Sequence, residues 1–442
     1  MSNDPEVKRN YVSVPSGRLS RLINLTGMSA GITGNILFSA ANNFFSGKQS
    51  NFQDLITSEK NIDRFVRHLS KMRGASMKLG QLLSLEAGDL LSTDALKILS
   101  RLRDQAYAMP TSQLRNVLKK SWGVNFMQLF KEFDPYPIAA ASIGQVHKCV
   151  LKNNDIVAIK VQYPGVKDSI ESDIKNLGFL IKSTGILPPQ IDLNALLEIA
   201  KNQLHEEANY ELEAKNLLKF NNLINDKNFE IPFLYKDLCT KNVLTMQYKP
   251  GIPIDKIMTH PQDEKNKIFY KLMELLFKEI FDFGYIQTDP NYSNFLYDHK
   301  NNKIILLDFG ASQKISIEVR NKFKNLLIST WNNNHTEIKT SLLDLGILHD
   351  TFPKQIEAIF LDLFYEVTYP IREKKVYNFN QADLITKIKS NFQEFLKFQN
   401  KLQIPSSDIL FIQRKIGGLF LLGKLLKVEI DLNKILKKYI LI

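Results

Sequence analysis

The sequence predicts an α+β fold of two lobes behind an all-helical leader, and three observations carry that prediction. Apolar residues between Phe52 and Ser121 recur at three- and four-residue spacing, the period of helices with one buried face. At Phe133-Asp134-Pro135-Tyr136-Pro137 the texture changes to small-residue turns and short apolar runs that read as a sheet. After Lys249-Pro250-Gly251 helical spacing returns and, apart from a few loops and one strand, continues to the end. A length of 442 residues with 44% hydrophobic content can bury a core of this size and excludes a disordered or fibrous chain.

Composition narrows the class. Two cysteines, Cys149 and Cys239, show no metal-type spacing and are too few for a disulfide framework in a chain this long, which points to a reducing compartment. Seven scattered histidines form no HExxH or paired-ligand pattern, so no dedicated zinc site is expected. A formal charge of +12 implies attraction to polyanions. No RNP-type aromatic motif, Cys/His finger or basic region with heptads is present, which argues against nucleic acid and leaves anionic membrane lipid as the expected partner. The opening Met1-Ser2-Asn3-Asp4-Pro5-Glu6 resembles neither a signal peptide nor an arginine-rich transit peptide. It suits a bacterial cytoplasmic protein peripheral to the inner membrane, the alternative being a mature protein on the matrix side of the mitochondrial inner membrane.

In chain order, residues 1–50 form an arm. Its stretch from Leu22 to Gly47 carries no charge, and Gly27 and Gly31 give it a small-residue face. It reads as a helix lying on or crossing a membrane, or equally as an apolar helix docked on the protein or its partner. The asparagines Asn24, Asn35, Asn42 and Asn43 make it a poor spanning segment. Residues 51–132 form the helical extension, in which Phe65, Leu69, Met72, Ala75 and Met77, then Leu79, Leu82, Leu83 and Leu85, mark a buried stripe. Thr93-Asp94 is a helix start, and Pro110-Thr111-Ser112 breaks the chain before another helix.

Residues 133–248 form the strand-rich lobe. Ile138 to Val146 is a small-residue turn, Val150-Leu151 and Ile156 to Val161 are strands around the turn Lys152-Asn153-Asn154-Asp155, and Val243 to Met246 is a further strand. Helices run from Asp168 to Ser183 and from Asp192 to Leu223. Residues 249–442 form the helical lobe, interrupted by the strand Ile304 to Leu307. From Phe411 to Ile442, the apolar positions Ile416, Leu419, Leu422, Leu425 and Leu426 alternate with Arg414, Lys415, Lys424, Lys427, Lys434, Lys437 and Lys438. This pattern predicts a basic amphipathic end and excludes a span.

Three motifs bear chemistry, and their order matters more than any one of them. Ile156-Val157-Ala158-Ile159-Lys160 is followed by Gln287-Thr288-Asp289-Pro290-Asn291-Tyr292-Ser293-Asn294 and then by Leu306-Leu307-Asp308-Phe309-Gly310. Phosphoryl transfer from Mg·ATP is mainly positioning and charge neutralisation. It needs a strand lysine for the α/β-phosphates, an acid to orient the nucleophile, and an Asn and an Asp to hold Mg²⁺. Lys160, Asp289, Asn294 and Asp308 are those groups, and they turn the two-lobed α+β prediction into a protein kinase-like one.

The turn Ala139-Ala140-Ala141-Ser142-Ile143-Gly144-Gln145-Val146 stands where a kinase carries its glycine-rich loop. Its backbone N–H groups can cradle phosphates, although alanines make left-handed conformations costly and stiffen the loop. By itself an alanine-rich turn is plain packing. Glu206, Glu207, Glu211 and Glu213 share one helical stretch with Tyr210 and would ordinarily form a solvated face. Their place between Lys160 and the Met246 strand makes one of them its ion-pair partner. Gln247, Tyr248 and Lys249 follow that strand where a hinge would meet adenine.

Taken together, these residues resemble the UbiB/AarF atypical kinase-like family, and most of all its coenzyme Q-associated ADCK branch, from about Val14 to the C-terminus. The hallmarks are Lys78-Leu79-Gly80-Gln81 (the KxGQ motif), the alanine-rich loop, Val157 to Val166, Gln287 to Asn291, and Asp308-Phe309-Gly310. The resemblance implies a protein kinase-like fold with a helical KxGQ extension over the nucleotide cleft, in which Lys78 and Gln81 regulate access and Lys78 meets Glu207. It assigns Glu207 and Glu213 to an ExD motif whose aspartate is here Asn209, which keeps an oxygen but loses a charge. Glu213 becomes the partner of Lys160. No APE-type segment follows Gly310, and Gln287-Thr288-Asp289 replaces HRD, so ordinary peptide-substrate docking is not expected.

The implied activity is Mg²⁺-dependent ATP binding with slow hydrolysis or phosphoryl transfer in support of ubiquinone biosynthesis at a membrane, on or near lipid intermediates or their enzymes. Two alternatives stand beside it. One is a non-catalytic lipid-binding or scaffold protein switched by ATP, and the other is a conventional protein kinase. Oligomeric state is left open.

Overall fold

The computed structural model describes residues 72–86, 108–184, 187, 192–289, 291–380 and 406–440. The arm with its uncharged stretch 22–47, the stripe positions Phe65 and Leu69, the side chain of Leu85, and the helix start at Thr93-Asp94 lie outside what is described. Contacts divide the chain into two compact units. One holds the described residues up to Lys215 together with Phe233–Tyr248, and the other holds Asn216–Pro232 and the residues from Lys249 on.

The first unit begins with helix α1 (Arg73–Glu86), which buries Ala75, Leu79, Leu82 and Leu83 along the stripe that helical spacing predicts. Helix α2 (Thr111–Trp122) starts after Pro110, whose fixed φ and missing N–H suit a helix start, and buries Leu114, Val117 and Leu118. The antiparallel strands β1 (Phe130–Phe133), β3 (Gly144–Leu151), β4 (Ile156–Gln162) and β6 (Val243–Gln247) form a sheet in that order, with β2 (Ala139–Ala140) also on β3. Strand β4 is bonded along both edges, and Lys160 faces Val146 on one side and Leu244 on the other. Asn154 turns the β3–β4 hairpin with φ 67°, a left-handed conformation that asparagine tolerates.

Helix α3 (Val166–Thr184) and helix α4 (Leu193–Glu207) pack against α1. Asp192 caps α4 by accepting the N–H groups of Asn194 and Ala195. The continuous helix expected from Asp192 to Leu223 is instead two helices, because the chain breaks at Ala208-Asn209 and restarts as α5 (Tyr210–Leu223). Asn209 Oδ1 accepts the N–H of Leu212 at 3.1 Å, the bond of a helix cap.

The second unit carries more strand than helical spacing suggested. Strands β5 (Phe229–Glu230), β7 (Ile252–Pro253), β9 (Phe295–Asp298) and β10 (Lys303–Leu306) make a sheet ordered β5-β10-β9-β7. Strand β8 (Tyr285–Gln287) pairs with β11 (Ser312–Lys314), and β12 (Tyr377–Asn378) pairs with β13 (Glu429–Ile430). All are two to four residues long, too short for a period of two to be read. Helix α6 (Gln262–Phe277) runs into a π-helical turn, Lys278–Phe283, which ends at Gly284 with φ 58°. A Cβ there would also lie 2.9 Å from the Arg320 guanidinium.

Helices α7 (Ile317–Trp331), α8 (His335–Asp344) and α9 (Lys354–Arg372) follow. Leu326, Ile338, Leu342, Leu348 and Ile356 gather in one core cluster with Ile409 from α10 (Ser407–Leu426). The basic C-terminal end is amphipathic, and its apolar face is turned into the protein. Leu419, Leu422 and Leu426 of α10, and Leu432, Ile435, Leu436 and Ile440 of α11 (Leu432–Ile440), are buried, and α10 and α11 both pack on α6. Their apolar stripe is core and not a membrane face. Lys415 is buried with it, while Lys424, Lys427, Lys434, Lys437 and Lys438 stay exposed. Among the described residues no helix is long and apolar enough to cross a membrane.

Candidate functional site

In the first unit, Lys160 Nζ lies 2.9 Å from both carboxylate oxygens of Glu213. The lysine side chain is 12% exposed and the glutamate 2%, so the lysine nitrogen is positioned by a desolvated partner. The Tyr210 ring sits 5.1 Å from the same nitrogen. Of the four acids offered by the sequence, Glu213 reaches the lysine because it lies one turn into α5, on the side where Tyr210 and Leu217 are buried.

Glu207 ends α4 and is met from two directions. Lys78 Nζ approaches it at 2.5 Å, and the Ser142 hydroxyl donates to its other oxygen. The extension and the alanine-rich loop therefore share one carboxylate. Gln81 is half-buried on α1, three residues from Lys78 and on the same face.

The alanine-rich loop is a short hairpin. Ala139 and Ala140 pair with Val146 and Gln145, and the Ala141 N–H closes the turn on the Gly144 carbonyl at 2.8 Å. None of its residues has a positive φ, so the backbone penalty expected for alanine does not arise. Gly144 is required by approach: a Cβ there would lie 2.5 Å from the Val161 carbonyl oxygen and 2.8 Å from the Tyr210 hydroxyl. Ile143 is buried.

The Gln145 side chain, placed by sequence among the nucleotide contacts, is used inside the protein. Its Oε1 accepts the Met109 N–H at 2.8 Å, and its Nε2 lies 2.9 Å from His147 Nε2. His147 Nδ1 is 3.1 Å from the Asp134 carbonyl, so Nδ1 carries the proton and Nε2 accepts from Gln145. Burial lowers the His147 pKa from 6.5 to about 4 and keeps the ring neutral, as this chain of bonds requires.

In the hinge segment two backbone donors are already used. The N–H of Gln247 bonds to the Phe233 carbonyl and that of Tyr248 to the Ile156 carbonyl, so neither donor is open to adenine. Lys249, in the second unit, is paired with Glu230 at 2.5 Å.

In the second unit, Asp289 follows β8. Its Oδ1 accepts the Asn291 N–H at 3.3 Å, and its Oδ2 accepts from Asn294 Nδ2 at 3.0 Å. That bond fixes the Asn294 amide and leaves its oxygen, Oδ1, as the ligand atom for a hard cation. The Leu307 N–H bonds to the Asn294 carbonyl, tying this turn to the strand end that carries Asp308. Asp308 Oδ1 accepts the Gly310 N–H at 2.9 Å, while Phe309 is buried with its ring 4.8 Å from Phe220. These carboxylate and amide oxygens suit Mg²⁺.

Two groups here escaped the sequence. Asn216 Nδ2 donates to the Phe309 carbonyl at 2.9 Å, and its Oδ1 accepts from the Tyr285 hydroxyl at 2.7 Å, linking the Asp-Phe-Gly backbone to β8. Its place one helical turn after Glu213 was the available signal. Lys415 Nζ lies 3.0 Å from Glu279 and 3.1 Å from Gln287 Oε1, with side chains of Lys415 and Glu279 only 4% and 2% exposed. Burial raises the Glu279 pKa, against the pull of the Lys415 ammonium. No sequence signal separates Lys415 from the solvated lysines around it.

The comparisons with known proteins agree on the kind of chain this is. The model of the ABC1 atypical kinase-like domain matches residues 101–342. Atypical kinase COQ8, mitochondrial, of Saccharomyces cerevisiae is 34% identical over 429 residues, covering 96% of this chain and 85% of its own. Its Schizosaccharomyces pombe namesake is 35% identical over 413 residues, covering 92% and 67%. The solved complex of Rv3197 with erythromycin from Mycobacterium tuberculosis superposes with a TM-score of 0.58 over 93% of this chain and 98% of its own, at 20% identity, a likeness of fold alone. Since the domain match spans more than half of the chain, the chain belongs to the ABC1 atypical kinase-like family, also called UbiB or ADCK, and has its α+β, two-lobed kinase-like fold.

Proposed function

We propose that this chain binds Mg·ATP and turns it over slowly, as an ATPase or phosphotransferase, in support of coenzyme Q (ubiquinone) biosynthesis at a membrane. The observation that carries the reading is the desolvated Lys160–Glu213 pair on a central strand, the arrangement that readies a lysine for α/β-phosphates. Lys160 holds the phosphates and Glu213 fixes the lysine. Asp289, oriented by Asn294 and the Asn291 N–H, aligns the acceptor hydroxyl or water and takes up its proton. Asn294 Oδ1 and the Asp308 carboxylate hold the metal, which when bound neutralises charge on the phosphates. Retention of Asp289 weighs against a scaffold, which has no use for it.

The yeast relatives are named mitochondrial, which favours the matrix side of the inner membrane over a bacterial cytoplasm. The acceptors we propose are quinone-pathway lipid intermediates or their enzymes, reached from an anionic lipid surface that the charge of +12 attracts. Removing a charge-assisted contact should weaken Mg·ATP binding roughly ten- to a hundred-fold in Asp308→Asn and Lys160→Ala. Isothermal titration checks this, and wild-type affinity in both variants would overturn the site. Comparison of quinone intermediates in cells with and without the protein tests the pathway.

A further inference from the structure

We propose that His260, Glu264 and His299, in the second unit, form a binding site for a divalent transition ion of the zinc type, made of other residues than the Mg²⁺ ligands Asn294 and Asp308. One ligand atom from each of the three lies within 4.8 Å of the others. His260 Nδ1 is 3.0 Å from one Glu264 oxygen and His299 Nδ1 is 2.9 Å from the other. Both imidazoles thus turn the same nitrogen toward one carboxylate. The two rings stand edge to face with centroids 5.8 Å apart.

Three separate elements hold these groups. His260 follows the 3₁₀ turn Ile254–Thr259, its N–H bonded to the Ile257 carbonyl, and Glu264 lies in the first turn of α6. His299 sits on the β9–β10 turn, which Asp298 fixes by accepting the N–H groups of Lys300 and Asn301. Behind the carboxylate, the buried Tyr297 hydroxyl donates to Glu264 Oε1 at 2.8 Å. Tyr297 also lies 3.2 Å from Asn302 Oδ1, and Lys271 bonds Asn302. A hydrogen-bonded outer partner of this kind orients the carboxylate ligand in metal sites. Exposure rises from 19% and 20% for the His260 and Glu264 side chains to 66% for His299, which opens the site on one side for entry of an ion and for water to complete its shell.

The chemistry selects the ion. Two imidazole nitrogens and a carboxylate suit borderline ions, whereas Mg²⁺ prefers an all-oxygen shell. Four-coordinate zinc bound at about 2.0–2.1 Å separates its ligand atoms by about 3.3 Å. The present separations of 2.9 and 3.0 Å come within a few tenths of an ångström of that spacing. Binding at Nδ1 shifts the proton of each neutral ring to Nε2, while Glu264 is already an acceptor. Sequence spacing hides the set because His299 lies on the β9–β10 turn, 35 residues beyond Glu264.

The test is a zinc chloride titration of metal-stripped, full-length protein against a chromophoric chelator, repeated with cobalt(II), whose visible absorption reports four-coordinate geometry. One equivalent is expected to bind, with cobalt absorption displaced by zinc. His260→Ala and His299→Ala should each weaken zinc by at least the roughly ten- to hundred-fold that loss of an outer partner costs, and Tyr297→Phe should fall within that range. Asp308→Asn should bind zinc as wild type does, so the outcome is independent of the nucleotide reading. A wild type that takes up no stoichiometric zinc, or histidine variants that bind it as tightly, would overturn the site and leave Glu264 as an acceptor shared by three donors.

Discussion

Lys415 and Glu279 have given up hydration for each other, and the balance of such a pair is decided by what remains when one member is removed. Lys415→Met leaves a buried carboxylate beneath Gln287 and is expected to destabilise the protein by about 3–5 kcal/mol, while Lys415→Met combined with Glu279→Leu should recover most of that. Denaturant unfolding of both single variants and of the double variant reads the coupling, and a loss in the double equal to the sum of the two single losses would mean the pair is not coupled. His147 poses the opposite case, a titratable group kept neutral by burial. Its folded pKa of about 4 lies below the ordinary 6.5, so between these values the unfolded chain binds the extra proton. Its contribution is fully present above pH 6.5 and lost as pH falls toward 4, by an amount on the order of 3 kcal/mol. His147→Gln should flatten the pH dependence of the unfolding midpoint across that window; an unchanged slope would show that His147 does not set it.

At the scale of elements, the break between α4 and α5 matters most, because it sets Glu207 toward Lys78 and Ser142 and Glu213 toward Lys160. Asn209 stands at that break, and its oxygen caps α5. A cap needs an acceptor and no charge, so Asn209→Asp should leave stability nearly unchanged and Asn209→Ala should lower it by about 1 kcal/mol. Thermal unfolding of both variants checks this, and a large loss in Asn209→Asp would show that the neutral side chain matters for another reason. The alanine-rich hairpin was legible as a turn from its small residues. That its glycine answers to the Val161 carbonyl and the Tyr210 hydroxyl was not, since both reach it from elsewhere in the chain.

At the scale of the whole molecule, a kinase-type chain without an APE segment, whose helical extension is tied by Lys78 to Glu207, should hydrolyse ATP without phosphorylating generic peptides in trans. Lys78→Ala should remain folded yet alter nucleotide turnover or permit autophosphorylation, because Glu207 then loses its ammonium in a partly desolvated place. Radiolabelled ATP assays decide between the cases: robust peptide phosphorylation by wild type, or a variant that matches it in every assay, would show that the extension does not guard the site.

The sequence by itself determined the fold class and the helices long enough to show a period, and it singled out Lys160, Asp289, Asn294 and Asp308 as candidates, because chemistry fixes residue type and order along the chain. The tertiary structure decided which of four glutamates meets Lys160, that the Gln145 side chain bonds Met109 and the Gln247 and Tyr248 N–H groups bond Phe233 and Ile156, that the apolar face of the basic C-terminal end is core, and that His299 joins His260 and Glu264. Each of these depends on burial and on contacts between residues far apart in sequence, and local spacing carries no record of either.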